Sequence, residues 1–459
     1  MDTGNIKPHN IILTILKRIA GVLGGIFVFI VISRGLNYIY VDTEEWQRIV
    51  LHDFYENKGK IDNVYLGSSH VHYDINPLIL DEMNGKFNFN LSTSSQNLNA
   101  SYYLLREADR YNSLSHVYLE LYYYCSVYDN FASPDFADPL DLCNYKDYRC
   151  IDNMKNSFNK IEYIYKCFET DRYVDVCFPF VRYRSQLGDW DYVKRIMAKK
   201  SREEYLMYEG GNDYGELGYI QYGHRGYCYS TVEYKDEQRL FSQNRILSVN
   251  PMSEKSEDYL KKIICYCQER DIPVILFVSP MDELRLISTE NYDNFVKQVS
   301  GIAADYGVEF YDFNLVKEEY LPIQKGEYFL DAGHLNNKGA DMFTRFFHET
   351  VSRSMAENEQ YFYDSYAEKL SNSSPRIYGL YYRESDNDCN FNIYHIASNR
   401  IEGMEYSVII ESDSGEKYTL QDFSENKEFT LPVEEHGNCT VKARMKNTLD
   451  DVQTLVIQY

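Results

Sequence analysis

Residues 272–280 read IPVILFVSP, an almost unbroken apolar run closed by a proline. Such a strand has no polar face to turn to water, so it belongs in a sheet covered on both sides. Other short apolar runs stop as abruptly. Val64-Tyr65-Leu66 ends at Gly67-Ser68-Ser69, and residues 87–91 end in Ser92-Thr93-Ser94-Ser95-Gln96. Residues 117–121 and 308–313 supply two more runs. Between and around them lie stretches with helical spacing: LILDEM after Pro77, then about 98–110, 257–270, 294–306 and 338–352. Strands alternating with helices predict a parallel sheet between two helix layers, a three-layer α/β/α domain over about residues 59–355.

Two segments break this alternation. Residues 128–226 are rich in tyrosine and charge and mostly helical in pattern, which predicts an insertion lying over the sheet as a substrate-facing cap. From Pro375 onward, short alternating segments such as CNFNIYHIA, YSVIIES and CTVKARMK recur at roughly ten-residue spacing. Seven of them predict an immunoglobulin-like β-sandwich over 375–459, with 356–374 as linker. Cys389 is in phase with Phe391 and Ile393, and Cys439 with Val441 and Ala443, so both point inward. In an immunoglobulin-like order their strands face each other, which predicts a Cys389–Cys439 disulfide. The other cysteines show no paired zinc spacing and read mostly as buried thiols.

The N-terminus places the chain. Ile19 to Ser33 carries no charge, and Arg34 is followed by GLNYIYV. With Arg34 reaching an interface, the span runs over 19–41 and meets the ~20 residues a bilayer requires. No A-x-A cleavage site follows it, so an uncleaved anchor is expected. Lys7, Lys17 and Arg18 precede it, while Asp42, Glu44 and Glu45 follow. Positive residues stay inside, which predicts a cytoplasmic tail (1–18) and an extracellular body on a single-pass plasma-membrane protein. A net charge of -23 excludes nucleic acid as a partner and argues against tight binding to anionic lipid surfaces. The 45 tyrosines follow no spacing pattern and read as compositional bias.

The chemistry concentrates at two motifs. A serine hydroxyl needs a base to take its proton, and the base needs a partner to fix its tautomer. His334, within FLDAGHLNNKGADMF, is the best base, and Asp331 lies three residues before it, where a turn returns its carboxylate to the imidazole. Ser69, at the end of the first strand, is the candidate nucleophile. His70 and His72 lack a third ligand, so no metal is expected, and no cofactor motif is present.

Together, Gly67-Ser68-Ser69 near the domain start and Asp331, Gly333, His334, Leu335, Asn336 and Gly339 near its end resemble the SGNH (GDSL-type) hydrolases. The resemblance implies the α/β/α fold, Ser69 as nucleophile and Asp331 with His334 as its activating pair. Ser68 stands where the family has aspartate. The family's oxyanion-hole glycine and asparagine are also missing. The corresponding turns are Ser92–Asn97 and Glu120-Leu121-Tyr122-Tyr123. The Ser69 amide, then Ser94, Ser95, Gln96 and Asn97, are the candidate oxyanion donors, and His70 is a candidate substrate contact.

A GSS motif behind an N-terminal anchor is also similar to exported SGNH proteins of teichoic-acid D-alanylation and polysaccharide O-acetylation. Those proteins tend to operate with a membrane-bound O-acyltransferase. The likeness implies a serine acyltransferase or esterase acting on a cell-envelope glycopolymer or acylated carrier, with such an acyltransferase as partner. Two further functions fit the same residues: a carbohydrate esterase (deacetylase), and a binding or scaffold protein with a degenerate site.

Overall fold

The computed structural model describes residues 8–41, 45–127, 145–202, 205, 220–242, 252–289, 291–323, 326–384, 390–399, 403–448 and 450–459. Two compact units emerge. The larger holds residues 49–147 and 209–459, and the smaller holds 1–48 and 148–208.

The larger unit is built on five parallel strands: β1 (Asn63–Leu66), β2 (Asn88–Asn90), β3 (His116–Glu120), β4 (Val274–Val278) and β5 (Glu309–Asp312). Their spatial order is β2-β1-β3-β4-β5. These are the predicted runs, with ends that differ by a residue or two. Side chains alternate across the sheet, yet both faces are buried, which explains the apolar runs. Tyr65 and Tyr118 stack with ring centroids 4.5 Å apart on one face. Phe347 of the helix Asn337–Val351 covers them, with Val71 and Ile75 in the same cluster. On the other face the helices Leu98–Tyr111 and Glu254–Gln268 pack together, joined where Tyr266 donates to Asp109.

The carboxyl ends of all five strands lie on one sheet edge, and the strand order reverses between β1 and β3. A cleft at such a reversal is where open α/β sheets place their ligands.

The C-terminal region is a two-sheet antiparallel sandwich of seven strands: β6 (Ile377–Glu384), β7 (Phe391–Ser398), β8 (Met404–Ser412), β9 (Lys417–Ser424), β10 (Glu428–Pro432), β11 (Gly437–Met445) and β12 (Asp451–Gln458). One sheet runs β10-β7-β6 and the other β9-β8-β11-β12. The second and sixth strands therefore lie in opposite sheets, over a core that includes Ile396, Val408, Ile410 and Val441. Cys439 is buried in that core. Cys389, and with it the predicted disulfide, lies outside the described residues.

Two features differ from the sequence expectation. A short strand, Leu240–Ser242, pairs in parallel with β6 and extends the first sandwich sheet. It covers an edge that would otherwise expose a row of unpaired backbone groups. The linker is also folded. Within it the helix Tyr366–Asn372 carries Lys369, which is buried against Glu283 and donates to the Asn314 carbonyl at 2.7 Å. The sandwich therefore belongs to the same compact unit as the parallel sheet.

The smaller unit contains the helix Pro8–Tyr40, whose stretch Thr14–Tyr40 is long and apolar enough to cross a membrane. The predicted insertion contributes the helices Phe158–Cys167, Tyr173–Cys177 and Trp190–Lys200 to this unit. That grouping was not visible in the pattern of either segment. The insertion's last part, Ile220–Tyr222, pairs with Cys228–Ser230 just beyond it and belongs to the larger unit.

Candidate active site

The turn after β1 is defined by Gly67. Its φ of +149° is a conformation that side chains rarely adopt. A Cβ there would stand 2.6 Å from Glu120 Cβ and 2.8 Å from Val71 Cγ2. Gly67→Ala is expected to destabilise the protein by on the order of 3 kcal/mol, combining overpacking with backbone strain. Thermal unfolding against the parent chain measures this, and an unchanged midpoint would refute it.

Ser68 then caps the short helix Ser69–Asp74, its hydroxyl accepting from the His70 amide. This puts Ser69 at the first helical position, at the carboxyl edge of the sheet. Among the described residues the Ser69 amide makes no hydrogen bond to the protein, so it can serve an incoming oxygen.

The second half comes from the loop before the helix Asn337–Val351. An antiparallel bridge between Phe329 and Leu335 closes this loop, and the Leu330 amide donates to the His334 carbonyl at 2.8 Å. Asn336 caps the helix by accepting from the Lys338 and Gly339 amides. Within the loop, Asp331 Oδ1 accepts from the backbone amides of Gly333 (2.7 Å) and His334 (2.9 Å). Both Asp331 oxygens lie 3.0 Å from His334 Nδ1. His334 Nε2 lies 2.7 Å from Ser69 Oγ. The structure thus brings Ser69, His334 and Asp331 into one line of hydrogen bonds across 262 positions of sequence, from residue 69 to 331.

Asp331 keeps about half of its side-chain surface open, at 52%. Packing around it would raise its pKa. The nearby His334 and the hydrogen bonds from His334 and from the Gly333 and His334 amides outweigh this and hold the carboxylate well below its usual range. It is therefore ionised at any pH at which the protein would work. An ionised Asp331 binds the Nδ1–H tautomer of His334, leaving Nε2 free to accept from Ser69.

Two struts fix the Ser69 turn to this loop, and only one of them, His70, was among the residues singled out from the sequence. His70 is 1% exposed, and its Nε2 lies 2.9 Å from the Gly333 carbonyl. A carbonyl only accepts, so Nε2 carries the hydrogen. Burial lowers the His70 pKa well below the ordinary value, so the ring is neutral. His70 was expected as a substrate contact, but its burial beneath the site makes it a support. Asp74, also buried, accepts from the Leu335 amide at 3.0 Å.

The residue that sequence reasoning passed over is Glu120, at the end of β3. Its Oε2 accepts from both the amide and the hydroxyl of Ser68, each at 2.9 Å. Glu120 thus sets a carboxyl group against Ser68 from the neighbouring strand. Burial pushes the Glu120 pKa up to about 7, against the hydrogen bonds from Ser68. The available signal was the acidic residue at the end of an otherwise apolar run.

The turn after β2 adopts a glycine-like backbone without a glycine. Ser95 has φ +52°, the left-handed conformation that glycine adopts most easily. Ser94 and Ser95 are half-buried. Gln96 and Asn97 are buried, and Gln96 Nε2 is used internally, donating to Ser101 at 2.9 Å. Burial thus leaves Ser94 and Ser95 as the accessible members of that set. His72 Nδ1 lies 3.2 Å from Ser92 Oγ and ties this turn to the helix of Ser69.

A protein-family model that carries no description matches residues 236–356, well under half of the chain. A search of the curated proteins finds no match. Among solved structures, the chain is similar to a "putative acylhydrolase" from Bacteroides fragilis. The two share 10% sequence identity over 67% of this chain and 95% of the other, with a TM-score of 0.31.

Proposed function

We propose that the chain is a serine acyl-transfer enzyme, anchored in the plasma membrane with its body outside, acting on esters of a cell-envelope glycopolymer or acylated carrier. The carrying observation is the contact of His334 Nε2 with Ser69 Oγ at 2.7 Å, backed by an Asp331 that fixes the histidine tautomer. Ser69 Oγ attacks the ester carbonyl while His334 Nε2 takes its proton. The tetrahedral oxyanion is met by the Ser69 amide and by donors of the Ser94-Ser95 turn. Collapse breaks the bond to the leaving alcohol, which receives the proton from His334, and leaves an acyl ester on Ser69. A sugar hydroxyl or water, deprotonated by His334, then releases the acyl group. The first acceptor gives transfer, with a membrane-bound O-acyltransferase as the partner that supplies acyl groups. Water gives a carbohydrate esterase.

The N-terminal helix supports the location, with Lys7, Lys17 and Arg18 before its uncharged run 19–33 and Asp42, Glu44 and Glu45 after its end. The direct test is covalent labelling with a fluorophosphonate. Labelling of the parent chain and none of Ser69→Ala is expected. A parent chain that stays unlabelled, or a Ser69→Ala chain that labels equally, would sink the serine-nucleophile reading and favour a binding or scaffold role.

A further inference from the structure

The N-terminal helix does not stand alone in its unit. Ring contact between Phe29 and Phe178 has centroids 5.2 Å apart. The Phe180 amide donates to Asn37 Oδ1 at 2.9 Å, and the Tyr192 hydroxyl to the Tyr40 carbonyl at 2.8 Å. Lys200 Nζ donates to the carbonyls of Tyr38 and Val41, at 2.6 and 2.7 Å. The helix has no basic residue in its own last turn, so Lys200 supplies the cation that its carbonyl end favours. Phe29 lies four residues before Ser33, the end of the uncharged run. At a helical rise of about 1.5 Å per residue, that is about 6 Å before the end of that run. The insertion therefore packs against the C-terminal half of the apolar stretch Thr14–Tyr40.

The insertion also exposes apolar side chains. The helix Phe158–Cys167 buries Asn159, Tyr163 and Cys167. Its opposite face presents Phe158, Ile161 and Tyr165, spaced i, i+3, i+7. Phe158 is 91% exposed, and Trp190 at the start of the next long helix is 73% exposed, with Leu187 just before it. A helix at a water boundary normally turns polar residues outward. Charge points the same way. Residues 148–208 hold 12 Lys and Arg against 9 Asp and Glu, a net of +3 in a chain of net charge -23. The overall charge disfavours anionic lipid, but this segment does not share it.

We propose that the insertion is an interfacial membrane platform: Phe158, Ile161, Tyr165, Leu187 and Trp190 seat in the headgroup–acyl boundary of an anionic bilayer beside the N-terminal helix. The inference rests on the reading of Thr14–Tyr40 as a membrane span. Since the chain crosses between the two units near residues 48, 147 and 208, such a platform would tether the catalytic unit to the membrane by three strands of chain.

The chain has two tryptophans, Trp46 and Trp190. Full-length Trp46→Phe in phosphatidylglycerol–phosphatidylcholine vesicles isolates Trp190. The difference between the parent chain and Trp190→Phe gives the same signal without altering Trp46. Brominated acyl chains are expected to quench Trp190 about twofold while aqueous iodide leaves it little changed. Quenching by iodide alone would overturn the platform. Protection from both quenchers would overturn it too, showing the face covered by protein, as a second copy would do. Alkaline carbonate on the same vesicles separates the failures. Retention with an iodide-quenched Trp190 defeats the platform only, whereas release of the chain defeats the anchor as well.

Discussion

Asp331→Asn is expected to lower the rate of Ser69 labelling by a fluorophosphonate by about 10⁴-fold while leaving the fold intact, the scale seen when a triad carboxylate loses its charge. The geometry gives the reason. Asp331 Oδ1 accepts from the Gly333 and His334 amides, and an asparagine carbonyl oxygen keeps those bonds. Its amide nitrogen then takes the place of Oδ2, 3.0 Å from His334 Nδ1. An NH₂ group there cannot accept, and the carbonyl left at the Oδ1 position is uncharged and shared with two amides, so the balance shifts toward a lone pair at His334 Nδ1 and a hydrogen on Nε2. That hydrogen points at Ser69 Oγ, and the base is lost. The measurement is the second-order rate of fluorophosphonate labelling, read with thermal unfolding. A rate within tenfold of the parent's would show that Asp331 does not set the tautomer.

Glu120→Gln is expected to be about 3 kcal/mol more stable than the parent chain at pH 8 and equal to it at pH 4 or below. Glu120 has its folded pKa raised from 4.5 to about 7. Below the unfolded value the carboxyl is protonated in both states, so the folded protein pays no charging penalty. Between the two values the unfolded chain ionises while the folded one resists, and stability falls as pH rises. Above about 7 the loss is complete. Glutamine removes the charge while its carbonyl oxygen still accepts from the Ser68 amide and hydroxyl. Its NH₂ group can face the neutral His70 ring, whose Nδ1 lies 3.9 Å from Glu120 Oε1. Denaturant unfolding at the two pH values reads the difference. A variant less stable than the parent at pH 8 would show that the charged form of Glu120 is the one the turn requires.

The sequence by itself determined more of the fold than of the site. Where apolar runs are continuous, as in 272–280, burial on both faces is the only stable outcome, so the five strands and the helices between them could be placed within a few residues. The seven sandwich strands were legible for the related reason that alternation reports one buried face. Ser69, Asp331 and His334 were legible because their turns interrupt these patterns with residues of specific chemistry.

What only the tertiary structure decided are contacts between distant segments that leave no periodic trace. Leu240–Ser242 joins the sandwich because β6 had an open edge, a property of the assembled sheet. Lys369 reads as a linker lysine until Glu283 meets it. His70 reads as a flanking, reachable histidine until the Gly333 carbonyl and its burial show it facing inward. Glu120 could not be recognised as the partner of Ser68, because a carboxylate supplied by an adjacent strand is adjacent only once β1 and β3 have paired. The line from Ser69 to Asp331 has the same origin: parallel strands bring all their carboxyl ends to one edge, and that edge is where residues 69 and 334 meet.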